Sequence, residues 1–204
     1  MSAALAPIST VEELYVVQRK ELAELFGYES RNKYEIRVGG QPWLYAAEQG
    51  KDLLGALMRQ LLGHARTFEI HVFDMARTPV LRIVHPFRFW LQRLEVFGAS
   101  GERIGEIRQR LSLFKKRFDV LDASGRVLLE VASPFWKPWT FTFQEGGQDR
   151  AVVQKKWSGL GRELFTDADT FRVGFHAGLS TPAKILVLAA ALFVDLQYFE
   201  RKAG

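Results

Sequence analysis

The sequence predicts a mainly β fold: a closed antiparallel barrel of about twelve strands around a buried hydrophobic C-terminal helix, with an amphipathic helix at the N-terminus. Strands are indicated where apolar and polar residues alternate, because a strand with one buried face has a period of two. Such segments lie at residues 34–38, 68–72, 139–143 and 171–175. The C-terminal helix is indicated by residues 185–194, which lack polar side chains and therefore need cover on every face.

The N-terminal segment carries the pattern of a helix. Thr10 and Glu13 have the spacing of a capping box, and Gly27 is a typical C-terminal stop. We therefore predict a helix over residues 11–26. On this basis residues 1–28 form an N-terminal tail and helix, and residues 29–204 form the barrel with its central helix at residues 182–200. The apolar residues at near-helical spacing are Leu14, Val17, Leu22 and Leu25.

Turn signals divide the alternating segments into hairpins. Gly-Gly and Ser-Gly pairs occur at residues 39–40, 100–101, 124–125 and 146–147, and a second apolar run follows them. The pattern predicts about ten to twelve strands, which is too many for an open sheet without curling, and closure removes the exposed edges. Residues 51–63 contain five leucines, which form either one side of a short helix, as we favour, or an exposed apolar loop.

The length of the C-terminal apolar run bears on whether this helix is buried in the barrel or crosses a membrane. It has ten residues without a polar side chain, whereas crossing the hydrocarbon core of a bilayer takes about 20. A large barrel also encloses space that its inward side chains do not fill, and empty interior volume is unfavourable. We therefore favour burial inside the barrel over insertion in a membrane. The side chains predicted to fill the barrel are Ile185, Leu186, Leu188, Leu192 and Phe193.

Composition argues against several classes of protein. The chain has no cysteine, which excludes disulfides, thiolate metal sites and a cysteine nucleophile. It has no Gly-x-Ser-x-Gly elbow and no phosphate-binding Gly-Lys loop, and no two of its four histidines have helical metal-binding spacing. We therefore expect a protein without catalytic residues. The N-terminus lacks the pattern of a signal peptide, so we expect a cytoplasmic location, including the inner face of a membrane.

Basic residues form the best candidate for a binding surface. The net charge of +5 suits an anionic phospholipid membrane or nucleic acid, and each basic residue near anionic lipid contributes roughly 1 kcal/mol. No nucleic-acid-binding motif is recognisable, so we favour the membrane. The same residues are equally compatible with an ordinary solvated face. The predicted lipid surface consists of Arg108, Arg110, Lys115, Lys116, Arg117, Lys155 and Lys156.

Tryptophans offer a second kind of membrane contact. Indole rings concentrate at membrane interfaces, although most large aromatic residues in a barrel belong to its core. The aromatic segments at residues 86–91 and 134–139 are either lipid-facing patches or plugs that close a barrel end, and we favour plugs. The tryptophans concerned are Trp90, Trp136, Trp139 and Trp157.

The C-terminal third of the chain resembles the phospholipid scramblase family. Residues 157–171 are similar to that family's signature of a tryptophan, a basic residue and a Phe-Thr-Asp-Ala-Asp sequence, and the terminal helix matches down to Asp195. Residues 26–36 resemble the opening of the family's domain, so the similarity covers about residues 10–202. The resemblance implies a tubby-like barrel of twelve strands around a central hydrophobic helix.

The resemblance also implies an activity, namely ATP-independent translocation of phospholipid between membrane leaflets. A polar headgroup must then cross about 30 Å of hydrocarbon, and one apolar helix offers no polar groove. Translocation would therefore need a homo-oligomer, a helix turned outward or a thinned bilayer. Two alternatives remain open: a soluble or peripheral module that binds lipid or its headgroup without transport, and interaction with nucleic acid or protein through the basic surface.

Calcium is the one cofactor that the resemblance implies. The family's calcium segment begins at the positions of Asp167 and Asp169 and continues here with Thr170. Calcium takes six to eight oxygen ligands, yet Phe171 offers no side-chain oxygen and Gly178 stands where the family has a third aspartate. We therefore expect a weak, incomplete site at best. The alternative is a turn in which both aspartates accept hydrogen bonds from nearby backbone N–H groups.

Overall fold

The computed structural model describes residues 2–19, 32–49, 67–86, 91–111, 116–133, 139–156 and 169–198. A 3₁₀ helix at Ala3–Ser9 precedes twelve strands, and an α-helix, α1, spans Thr181–Tyr198. The strands are β1 (Glu13–Gln18), β2 (Lys33–Val38), β3 (Gln41–Glu48), β4 (Phe68–Phe73), β5 (Pro79–His85), β6 (Arg93–Gly98), β7 (Arg103–Arg110), β8 (Lys116–Asp122), β9 (Val127–Ser133), β10 (Thr140–Glu145), β11 (Gln148–Lys156) and β12 (Thr170–Phe175).

The twelve strands form a closed antiparallel barrel. Each strand pairs with its neighbours along the chain, and β1 closes the barrel by pairing with β12, where Val16 lies opposite Phe171. Alternate residues face inward: in β4, Phe68, Ile70 and Val72 are buried while the residues between them are partly exposed. Closure leaves no unpaired edge among the described strands. The predicted fold class, a twelve-stranded barrel with a hydrophobic C-terminal helix, is confirmed.

The two ends of the barrel differ in how the strands are joined. At one end, which we call the turn end, short turns join the strands, and α1 begins there. Two of these turns, Gly39-Gly40 and Gly146-Gly147, have positive φ at both positions, a conformation that favours glycine. At the opposite end, which we call the connection end, the other joins run through residues that the structure does not describe, and α1 ends there.

Helix α1 runs along the inside of the barrel. The hydroxyl of Tyr34 on β2 bonds Asp195 of α1, while Phe118 on β8 packs edge-on against Phe193. Strands β2 and β8 stand six places apart in a ring of twelve, so α1 contacts opposite walls. Every residue from Ala183 to Leu196 is buried. The five side chains that the sequence singles out for the barrel interior, Ile185, Leu186, Leu188, Leu192 and Phe193, are all 0–2% exposed.

The N-terminal segment closes the turn end around the start of α1. Leu5 and Ile8 of the 3₁₀ helix are fully buried and belong to the main core. The Lys184 ammonium donates hydrogen bonds to the carbonyl oxygens of Ser9 and Val11, both at 2.8 Å, and lies 5.4 Å from the Phe175 ring centroid. Burial lowers the pKa of Lys184, opposed by the negative charge of Glu12.

The predicted N-terminal helix over residues 11–26 is wrong. Glu13–Gln18 is strand β1, so the division at residue 28 also cuts through the barrel. The run Tyr15-Val16-Val17 is aromatic and β-branched, which suits a strand, and pairing with β2 and β12 overrides the helical spacing of the leucines. Residues 20–26 of that prediction and the whole segment 51–63 lie outside the described residues.

Candidate functional site

Polar side chains replace apolar ones on the inner face of the barrel at the connection end. In β3, Leu44 and Ala46 face inward and Glu48 follows them, and in β5 His85 follows Ile83 in the same way. The same change occurs around most of the ring, and we call these residues the polar collar. Its members are Gln18, Asn32, Glu48, His85, Gln92, Gln109, Ser133, Lys155 and Asp169.

Members of the polar collar bond to one another across strands. The Asn32 amide donates to Glu48 Oε2 at 2.7 Å, and the Gln18 amide donates to Asn32 Oδ1 at 3.2 Å. On the other side of the ring, the backbone N–H of Gln92 donates to Gln109 Oε1 at 3.1 Å. Buried polar groups are stable when they are bonded in this way, so a hydrogen-bonded polar layer lies between the connection end and the apolar interior.

The last turns of α1 reach the polar collar and carry the one acidic residue of the helix. Asp195 is 1% exposed and accepts a hydrogen bond from the Tyr34 hydroxyl at 2.7 Å, across 161 positions of sequence. Beside it, Phe193 stacks with His85 at a centroid distance of 5.6 Å and lies 6.4 Å from the Phe68 ring. Sequence reasoning noted Asp195 but missed Tyr34 and His85, because nothing local relates them to the helix.

Lys155 and Asp169 form an ion pair within the collar. Lys155 Nζ lies 2.6 Å from Asp169 Oδ2, and the Lys155 side chain is only 11% exposed. The ammonium also lies 5.8 Å from the Trp139 ring centroid and 5.9 Å from that of Phe171, within cation–π range. The structure therefore separates two residues that the sequence placed on one lipid surface, because Lys156 faces outward and is exposed.

The predicted basic surface on β7 and β8 lies on the outer wall and is partly neutralised there. Arg108 pairs with Glu106, and Arg110 Nη1 lies 3.4 Å from Asp119 Oδ1. Glu106 is fully buried although it faces outward, because Arg93 at 2.6 Å and Arg103 at 2.7 Å also cover it. Of the remaining predicted residues, Arg117 is exposed, Lys116 begins β8, and Lys115 lies outside the described residues.

The two ends of the barrel carry opposite charge. For each end of the barrel, the count covers the two strand positions nearest that end and the described residues that lie beyond them. The connection end has eight basic residues (Arg19, Lys33, Arg93, Arg110, Lys116, Arg117, Lys155, Lys156) and three acidic ones (Glu48, Glu69, Asp169). The turn end has four basic residues (Arg37, Arg77, Arg103, Arg126) and seven acidic ones (Glu12, Glu13, Asp74, Glu102, Asp122, Glu145, Asp149).

Comparison with known proteins places the whole barrel in one family. The family model described as Scramblase matches residues 1–201, which includes every strand and α1. The chain belongs to the scramblase family. Phospholipid scramblase 1 of Mus musculus is 28% identical over 95% of this chain, and Phospholipid scramblase 2 of Homo sapiens is 28% identical over 95%. Altered inheritance rate of mitochondria protein 25 of Saccharomyces cerevisiae is 25% identical over 96%.

The relatives of this scramblase-family chain are longer than the chain itself. It spans 63% of the mouse protein, 69% of the human protein and 74% of the yeast protein. No solved structure matches the chain. The match therefore shows the family to which the barrel belongs. It does not show that this chain has the activity of the longer relatives.

Two residues of the predicted calcium segment, Asp169 and Thr170, lie in the described part of this scramblase-family chain. Asp169 is paired with Lys155, and the alternation of β12 sends the next side chains to opposite faces: Phe171 lies inside, whereas Thr170 is buried on the other face. Gly178 lies at the turn end, across the barrel from Asp169. Among the described residues, no three acidic or histidine side chains are grouped to hold a metal ion, and Asp167 lies outside those residues.

Helix α1 was also considered, from its sequence, as a membrane-spanning segment. In the described part of the chain, no helix combines the length and the apolar character that crossing a bilayer requires. Of the tryptophans considered as anchors, Trp139 is half-buried and packs against the core, whereas Trp90, Trp136 and Trp157 lie outside the described residues. The segments 86–91 and 134–139, predicted as patches or plugs, lie mostly outside them as well.

Proposed function

We propose that this scramblase-family protein acts on phospholipid at an anionic membrane surface, from the cytoplasmic side, and exchanges phospholipid between leaflets without ATP. The observation that carries the proposal is the match of the Scramblase family model to residues 1–201, which covers the whole barrel. Relatives named as phospholipid scramblases match 95% of the chain, which supports phospholipid as the substrate class.

The buried position of α1 limits how such an exchange works. Leu186, Leu188 and Leu192 contact the barrel interior and are fully buried, so α1 offers no surface to lipid. A headgroup that crosses about 30 Å of hydrocarbon needs a polar path or a thinner barrier. Exchange by this protein therefore proceeds at the membrane surface, by local thinning of the bilayer under one protomer or between several protomers.

A second candidate function is lipid or headgroup binding without exchange. It is favoured by the same burial of α1, because a peripheral protein needs no lipid-facing helix. The two functions share the step of binding to an anionic membrane and differ only in whether bound lipid then changes leaflet. A measurement of exchange and a measurement of binding on the same vesicles therefore distinguish them.

Reconstitution into vesicles tests the proposal directly. Vesicles with a fluorescent phospholipid are mixed with the protein, and a membrane-impermeant reductant is added to bleach the outer leaflet. Exchange by the protein bleaches the inner-leaflet fraction as well, without ATP, while protein-free vesicles retain it. A trapped soluble dye controls for leakage. A rate that rises with the square of the protein-to-lipid ratio indicates that a homo-oligomer carries the exchange.

The outcomes separate the two candidates. Binding to anionic vesicles together with retained inner-leaflet fluorescence rejects exchange and establishes the binding module. Absence of both binding and exchange rejects both candidates. Binding that disappears at high salt is expected in either case, since attraction between surface charges is screened over about 10 Å at 0.1 M salt.

A further inference from the structure

The end-to-end difference in charge gives the barrel a preferred orientation at a charged surface. Among the described residues, the connection end has eight basic residues against three acidic ones, and the turn end has four against seven. Strands of six to nine residues rise about 3.3 Å per residue and tilt in a barrel, so the ends lie roughly 15–20 Å apart. This exceeds the screening length of about 10 Å at 0.1 M salt. A nearby anionic surface therefore attracts the connection end and repels the turn end.

An exposed apolar side chain lies on the basic end. Leu111 directly follows β7 and is 82% exposed, the highest value among the large hydrophobic residues described. Arg110 precedes it, and Arg117 on β8 lies opposite Arg110 in the strand register. An exposed apolar side chain next to basic residues suits the boundary of a bilayer, where the cations meet phosphate and the apolar group enters the acyl region.

The other exposed large apolar residues provide a contrast. Met75 is 54% exposed and Val127 is 47% exposed, and both lie at the turn end. Asp74 and Arg77 lie in the same turn as Met75, and Arg126, which precedes Val127, pairs with Asp122 at 3.2 Å, so the charges beside both residues are balanced. Apolar exposure alone therefore does not choose an end, and charge decides which exposed apolar residue meets the lipid.

We propose that the protein docks on anionic phospholipid membranes through the connection end, with Leu111 inserted between headgroups and Arg117 and Lys156 on phosphates. The proposal rests on the proposed membrane function and adds which end of the barrel faces the lipid. The polar collar then lies at the end of the barrel that is nearer the membrane, and the acidic turn end with its N-terminal closure faces away from it. The basic residues at the middle of the outer wall, such as Arg108, remain in their pairs with Glu106.

Matched substitutions at the two ends test the orientation. Leu111→Glu and Met75→Glu each place one new charge at an exposed apolar position, and both positions tolerate it because neither side chain is buried. Binding to vesicles of phosphatidylserine and phosphatidylcholine is measured by sedimentation, with thermal melting as the folding control. Leu111→Glu is expected to weaken binding about tenfold or more, and Met75→Glu to change it less than twofold.

Removal of charge provides an independent pair of variants. Arg117→Gln with Lys156→Gln removes two cations from the connection end, and Arg77→Gln with Arg126→Gln removes two from the turn end. The first double variant is expected to weaken binding about 25-fold, at about fivefold for each cation near the membrane. The second is expected to leave binding within twofold of the native protein.

The absence of cysteine permits a direct readout without loss of charge. A single environment-sensitive fluorophore attached through Leu111→Cys should shift to the blue on anionic vesicles, while one attached through Met75→Cys should not. Equal effects at both ends, or larger effects at Met75, would overturn the orientation while native binding and leaflet exchange leave the proposed function intact. A native protein that neither binds nor exchanges lipid rejects the proposed function and this docking mode together.

Discussion

Lys184 joins the N-terminal segment to the first turns of α1. Its ammonium supplies the donors for the Ser9 and Val11 carbonyl oxygens in a site where the residue is only 6% exposed. Lys184→Met keeps the length of the side chain but leaves both acceptors without that donor. We expect a loss of about 1–3 kcal/mol in the free energy of unfolding, measured by urea denaturation. Partial recovery in Lys184→Arg would support the bond, and an unchanged midpoint in the methionine variant would contradict it.

The pH dependence of stability provides a second measure of Lys184. Burial lowers its pKa in the folded protein below the ordinary 10.5, so the folded state binds this proton less tightly than the unfolded state. As pH rises through the lowered pKa toward 10.5, the unfolded chain holds more protons, and this group increases stability with pH. The native protein should therefore gain stability relative to Lys184→Met in that window, as urea midpoints compared pairwise will show. A constant difference would mean that the pKa is unshifted.

Asp169 already has a cation partner in Lys155, and this decides our expectation for calcium. Millimolar calcium should leave the melting temperature of the native protein unchanged, because the carboxylate is paired and the following side chains diverge. Asp169→Asn should cost less than about 1 kcal/mol, since the Asp169 carboxylate is 36% exposed. A calcium-dependent rise in melting temperature that Asp169→Asn abolishes would instead establish the calcium segment of the resemblance.

At the scale of elements, β7 and α1 approach each other closely at Gly105. A Cβ at this position would collide with the carbonyl oxygen of Leu121 on β8 and lie 2.9 Å from Leu186 Cδ1. Gly105→Ala should therefore displace α1 or the β7–β8 ladder and destabilise the protein by about 1–3 kcal/mol or more. Thermal or urea unfolding measures the change.

Gly174→Ala on β12 is the matched control for Gly105→Ala. The nearest atom to a Cβ there is Val152 Cγ1 at 3.3 Å, a side-chain tip that can move. A smaller loss of stability is expected for this variant than for Gly105→Ala. Equal losses would show that the general cost of altering a strand glycine, and not the approach of α1, determines the effect.

Element prediction from sequence worked where one burial pattern dominates a segment. Phe68, Ile70 and Val72 alternate cleanly, and β4 was predicted at their position. The prediction for the segment of β1 was wrong, because Leu14 and Val17 also fit helical spacing. The contacts that make it a strand are with residues 170–174, far away in the sequence. Local pattern cannot choose between two periods in six residues when a distant strand supplies the pairing.

At the scale of the whole molecule, the barrel and α1 depend on each other. Removal of residues 181–204 would expose inward side chains such as Leu44, Ile70 and Val153 to water or leave an empty interior. We expect this truncated protein to lose cooperative unfolding and to bind a hydrophobic dye. Leu188→Ala, which removes only part of the filling, should lose about 2–5 kcal/mol and remain folded. A truncated barrel that stays monomeric and melts cooperatively would contradict the mutual dependence.

The candidate site was only partly predictable from sequence. Basic residues such as Arg117 and Lys156 were identified by their charge alone, and both are exposed. The pairing of Lys155 with Asp169 was not foreseen, since it depends on which face of β11 and β12 each residue occupies. The hydrogen bond between Tyr34 and Asp195 likewise joins residues that only the closed barrel brings together.

The sequence by itself determined the alternating strand pattern apart from β1, the burial of the apolar C-terminal helix and membership in the scramblase family. These properties depend on local periodicity and residue type, and each can be seen within one short segment. Only the tertiary structure decided that β1 completes the ring, that Lys155 faces inward and that positive charge collects at one end. These depend on the pairing of segments far apart in the chain, because inside and outside, and one end and the other, exist only after the barrel has closed.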